Sequence, residues 1–97
     1  MLIVHSAEEL QDSLKSKNKS LGLVPTMGAL HQGHLSLIKR AAYENKKVVV
    51  SIYVNPTQFN HREDLDNYPK DIENDIALLK PFEKQLILYM PSGYKSL

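Results

Sequence analysis

Cysteine is absent from all 97 residues. That excludes a disulfide framework, a thiolate zinc site and a cysteine nucleophile, and it fits a reducing compartment. Net charge is nearly absent too. Twelve lysines and arginines stand against eleven acidic residues, for a formal charge of +1, so nothing argues for a nucleic-acid or acidic-membrane partner. No apolar run approaches the ~18 residues that a membrane span needs. The start Met1-Leu2-Ile3-Val4-His5 has neither the basic flank nor the long apolar region of a secretory signal. Internal repeats and low-complexity tracts are missing as well. What is present is 42% hydrophobic and 24% charged, ordinary for a globular protein. The length suits one small domain, or a piece of a larger one, burying roughly 60–65% of its unfolded surface. A soluble, cytoplasmic protein is expected.

Leu2-Ile3-Val4 is a short apolar, β-branched-rich run that predicts a first strand. Ser6-Ala7-Glu8-Glu9 matches a capping box, with the Ser6 hydroxyl accepting from the Glu9 N–H and the Glu9 carboxylate reaching back to the Ser6 N–H. Ala7, Leu10 and Leu14 follow at helical spacing, predicting an amphipathic helix of about three turns that ends among the cations of Lys15 to Ser20. Leu21 to Val24 is the second strand, with Pro25 ending it. From about Leu30 a second helix carries Leu35, Ile38 and Ala42 as an apolar stripe, widened by Leu37 and Ala41, with Lys39 and Arg40 facing away.

Val48 to Val54 is the clearest strand. It is apolar on both faces, as suits a parallel strand covered by helices on both sides. A polar, proline-bearing loop follows at Asn55 to Asn60, and the charged groups from Arg62 to Asp75 read as a solvated face. Asp71 can cap a third helix carrying Ile72, Ile76 and Leu79, which Pro81 closes before a fourth strand at Leu86 to Met90. Tyr53, Tyr68, Tyr89 and Phe82 read as packing residues. The order β-α-β-α-β-α-β predicts an α/β fold with a Rossmann-like parallel sheet. Ligands in such sheets sit beyond the carboxyl ends of the strands. The loops at residues 25–34 and 55–60 both follow such ends, and they share a crevice if their strands are neighbours.

The first of these loops, Val24-Pro25-Thr26-Met27-Gly28-Ala29-Leu30-His31-Gln32-Gly33-His34, carries the chemistry. Its end straddles a helix start, where unpaired N–H groups and the positive end of the dipole attract anions. Gly28 permits a backbone conformation closed to other residues, and Gly33 lets a ligand come close. His31 and His34, three apart, share nearly one helix face and can both donate to a phosphate oxygen. The same pair could ligate a metal, but a closed site needs four ligands, and His5, His61 and the scattered carboxylates show no matching spacing. The glycines could also be plain turn residues. The stretch is neither a Walker A loop nor a G-x-G-x-x-G fingerprint. Gln58 offers both amide donors and an acceptor, enough to read a hydroxyl or a carboxylate, although a lone loop glutamine is more simply solvated.

Three separated motifs occur in order: Pro25 to Leu35, Val50 to Phe59, and Glu63-Asp64-Leu65-Asp66-Asn67-Tyr68-Pro69 followed by the Asp71 to Leu79 helix. Together they resemble the pantothenate synthetase (pantoate–β-alanine ligase) family over nearly the whole chain, more weakly after about Lys80. The histidine pair is this family's form of the H-x-G-H motif of the nucleotidylyltransferase superfamily. The resemblance implies ATP-dependent condensation of pantoate with β-alanine through a pantoyl adenylate, with Mg2+ accompanying ATP. It implies that Met27, Gly28, Ala29, Leu30, His31, Gln32, Gly33 and His34 hold ATP, with His34 the donor at the phosphates and His31 assisting. It further implies that Gln58 binds pantoate near the β-alanine position, and that Asn55, Met27 and Phe59 line the pantoate pocket.

Members of the family are much longer, so residues 1–97 are expected to be the N-terminal portion of the nucleotide-binding domain, with the remaining half-domain and the C-terminal domain absent. Half a sheet exposes an edge and apolar faces, so a homodimer or larger assembly is expected. Two other readings stay open. One is a non-catalytic fragment that binds nucleotide or pantoate or serves in association. The other is a different nucleotidyltransferase using the histidine pair alone, which the Asn55 to Phe59 loop disfavours.

Overall fold

Strand and helix patterns that alternate along the chain fold as alternating elements. The computed structural model describes residues 1–15, 20–53 and 72–91. Within them run β1 (Leu2–Val4), α1 (Ala7–Leu14), β2 (Leu21–Thr26), α2 (Gln32–Glu44), β3 (Lys47–Ile52), a helix α3 over 72–79, a 3-10 turn (Lys80–Phe82) and β4 (Leu86–Tyr89). The four strands form one sheet in the order β1-β4-β3-β2, every pair parallel. This is the expected α/β, Rossmann-like architecture.

Side-chain alternation splits the core into two layers. Val24, Val48, Val50, Ile52, Leu86 and Leu88 face one side, where Ile38 of α2 and Ile72, Ile76 and Leu79 of α3 cover them. Val4, Val49 and Ile87 face the other, under Leu10 and Leu14 of α1. β3 is buried on both faces, as its unbroken apolar run implied. Gln85 fastens the end of α2 to the sheet, since its Nε2 donates to the carbonyls of Ala42 and Asn45 at 2.9 Å each.

Five expectations about these elements need correction. Pro25 does not end β2; it lies within it, in register with Ser51. Proline supplies no N–H, so it is tolerated only where a ladder partner is not required, and β2 is an edge strand among the described residues. The second helix starts at Gln32, not Leu30; Leu30 precedes the cap and is buried in the core. Leu37 does not widen the apolar stripe, for it is 60% exposed while Ile38 beside it is fully buried. α1 has eight residues, little more than two turns. Its cap differs in one detail too. Ser6 Oγ accepts from the Glu9 N–H at 3.0 Å, but the Glu9 carboxylate takes the Ser6 hydroxyl and the His5 N–H instead of the Ser6 N–H.

Asn55, Gln58, Phe59 and the Asp71 cap lie outside the described residues. No helix among the described residues is long and apolar enough to cross a membrane.

Candidate functional site

β2 and β3 pair from Leu21 with Lys47 through Thr26 with Ile52, so their carboxyl ends lie side by side. The neighbour condition for a shared crevice is therefore met by the strands. Thr26 closes that end of the sheet. Its hydroxyl donates to the Ser51 carbonyl at 3.0 Å and accepts from the Gly28 N–H at 3.2 Å, while its carbonyl accepts from the Tyr53 N–H at 2.9 Å.

The chain then turns through two left-handed residues, Gly28 at φ 85 and Ala29 at φ 52. Glycine takes that conformation freely, as foreseen at residue 28. Alanine does not, and a left-handed Ala29 costs roughly 1–2 kcal/mol. A carboxylate holds it there. Asp75 Oδ2 accepts from the Ala29 N–H at 3.0 Å, and Oδ1 accepts from the Leu30 N–H at 2.8 Å. Asp75 is only 2% exposed, which corrects its assignment to a solvated face. The signal was in the helical spacing, because residue 75 shares the stripe of Ile72, Ile76 and Leu79.

Helix α2 begins immediately after this turn with a reciprocal cap made of two imidazoles. His31 is the N-cap. Its Nδ1 accepts from the Gly33 N–H at 3.0 Å, and His34 Nδ1 accepts from the His31 N–H at 3.2 Å. A nitrogen that accepts carries no hydrogen, so in the neutral rings both protons sit on Nε2. Each Nε2–H lies across the ring from the backbone bond and has no partner among the described residues. The ring centroids are 4.1 Å apart and tilted by 45°. The two rings thus sit together at the positive end of a thirteen-residue helix.

Gly33 has an internal reason to be glycine. A Cβ there would stand 2.9 Å from Cε1 of the His31 ring, so any larger residue would push the cap aside. The Gln32 N–H has no hydrogen-bond partner among the described residues, and Met27 is 66% exposed beside the turn. His61, weighed as a further metal ligand, lies outside the described residues. No three His, Asp or Glu side chains converge among the described residues. His5 sits at β1, the opposite edge of the sheet from β2, with its Nδ1 3.2 Å from the Met90 carbonyl.

This fold recurs in known proteins. The family model described as "Pantoate-beta-alanine ligase" matches residues 2–95, so the match runs on past Lys80 where the motifs thin out. A pantothenate synthetase of Fervidobacterium nodosum is 48% identical over 86 residues, covering 89% of this chain and 31% of that protein. One from Phocaeicola vulgatus is 55% identical over 83 residues, covering 82% and 29%. Among solved structures, the pantoate-beta-alanine ligase of Francisella tularensis, complexed with beta-gamma ATP and beta-alanine, superposes with a TM-score of 0.72 at 41% identity. That alignment covers 95% of this chain and 36% of the other. The pantothenate synthetase of Thermus thermophilus gives a TM-score of 0.70 at 46% identity, covering 94% and 32%. The chain thus spans about a third of the length of the relatives it matches.

Proposed function

The chain belongs to the pantoate-beta-alanine ligase family, and from that premise we propose that residues 1–97 carry the N-terminal part of a nucleotide-binding domain that activates pantoate with ATP in the cytoplasm. A pantoate carboxylate oxygen attacks the α-phosphorus of ATP, and the bond to pyrophosphate breaks. The amine of β-alanine then attacks the acyl carbon of the pantoyl adenylate, loses its proton and releases AMP. Negative charge builds on the phosphate oxygens in the first step, and pre-oriented donors lower its cost. The observation that carries this reading is the imidazole pair at the start of α2, with both Nδ1 atoms engaged by backbone N–H groups.

His34 and His31 present Nε2–H to the phosphates, with Met27 to His34 forming the wall of the ATP site. Gln58, Asn55, Phe59 and Met27 are proposed to hold pantoate and the incoming β-alanine. Magnesium, where it accompanies ATP, would supply charge shielding at the phosphates. The part proposed for the described residues of this chain is donation and orientation at the phosphates.

The test is pantoate-dependent exchange of labelled pyrophosphate into ATP. Exchange that needs pantoate is the expected result, and exchange without pantoate would sink the substrate assignment. ATP binding with no exchange at all would favour the second reading, a nucleotide-binding fragment. We also propose self-association. Leu21, Leu23 and Leu37 are 45%, 66% and 60% exposed around β2, an edge strand among the described residues, a surface that a second copy would cover. Light scattering is expected to give a dimer mass or more; a monodisperse monomer would refute it.

A further inference from the structure

A carboxylate sunk into an apolar layer is costly unless its oxygens are satisfied. Asp75 lies on α3 among Ile72, Ile76 and Leu79, which pack into the core, and it makes no ion pair among the described residues. Packing α3 onto the sheet would be served better by an apolar side chain. What Asp75 does instead is grip two successive amides, Ala29 and Leu30, from 46 and 45 residues away in sequence. Those amides immediately precede the His31 cap. One of them belongs to the strained left-handed alanine, and backbone strain of this kind persists only where surrounding structure over-determines it.

We infer that Asp75 is a positioning residue for the phosphate-facing turn: its two-pronged grip on Ala29 and Leu30 sets where His31 and His34 stand relative to β2. The grip has a second consequence. It consumes the two N–H groups that point into the core, so the donors left to face an anion are those on the histidine side of the turn. The carboxylate itself is kept buried, where α3 and the turn separate it from solvent. The functional readout of this role rests on the ATP reading above; its structural readout does not.

Asp75→Asn keeps the shape, retains one acceptor and turns an NH2 toward the other amide. The control is Val49→Ala, which lowers stability from the other face of the sheet without touching the turn. ATP affinity and pyrophosphate exchange of Asp75→Asn are expected to fall at least about tenfold, since small misplacements of reacting groups are amplified in rate. In NMR spectra the Ala29 and Leu30 amide protons should move upfield, and the His31 and His34 ring protons should shift with them. Val49→Ala should leave all of these in place. If the ring resonances and ATP affinity of Asp75→Asn match those of Val49→Ala, Asp75 is only a packing residue and the proposal fails. If the unaltered chain binds no ATP, the phosphate reading fails, but displacement of the ring resonances still decides the positioning role. Should Asp75→Asn not fold, Asp75→Glu, whose carboxylate is one methylene longer, is expected to displace the same amide and ring resonances.

Discussion

Replacing His34 with alanine is expected to lower pantoate-dependent pyrophosphate exchange by about 10²–10³-fold, the loss found when one pre-oriented donor to a developing charge is removed. Alanine at this position removes two things, the Nδ1 that accepts from the His31 N–H at 3.2 Å and the Nε2–H proposed to face phosphate. Two further variants separate them. His34→Asp leaves an oxygen able to reach the His31 N–H but no donor at all, so exchange should fall at least as far as in alanine while stability is largely kept. His31→Asp is the sharper case. Aspartate caps helices better than histidine does and suits the positive end of the dipole, so thermal stability should hold or rise. Its charge would repel a phosphate, so exchange should drop. If His31→Asp exchanged as fast as the unaltered chain, the imidazole pair would be a cap and nothing more. An aspartate would have capped α2 more cheaply, and a histidine at that position makes sense if the ring is needed for donation.

Much of this was legible in advance because it is local. The Val48–Val50 run is buried on both faces and reads that way from composition alone. The Ser6 cap follows from spacing, and the left-handed turn at Gly28 from residue type. What was not legible depends on which element lies next to which. Pro25 looks like a strand end until the order β1-β4-β3-β2 puts its strand at an edge. Asp75 looks solvated because charged residues surround it in sequence, and its partners are 45 and 46 residues away. The imidazole cap escapes the usual rule because serine, threonine and acidic residues are the expected caps. The pantoate side of the proposed site, Asn55, Gln58 and Phe59, lies outside the described residues and stands on the family resemblance.

Helical spacing also fixes a stripe without fixing its width, and the pair Leu37 and Ile38 turns that into a measurement. Of all the residues in α2, Ile38 alone is buried, with no exposed surface. It pins the helix to Val24, Val48 and Val50 on the sheet. Ile38→Ala is expected to cost about 2–5 kcal/mol in urea denaturation, a large share of the roughly 5–15 kcal/mol that holds a domain of this kind together. Leu37→Ala, one residue earlier and 60% exposed, should change stability by no more than about 0.5 kcal/mol. A comparable loss at both positions would mean that something covers Leu37 in solution. If that loss grew with protein concentration, the cover would be a second copy of the chain. Ile38→Ala has a functional corollary as well. The imidazole cap stands one to two turns before Ile38 on the same helix, so a helix no longer pinned to the sheet presents its donors less firmly. Exchange should therefore weaken under conditions where the variant is still folded, but by less than in His34→Ala, because both rings are still there.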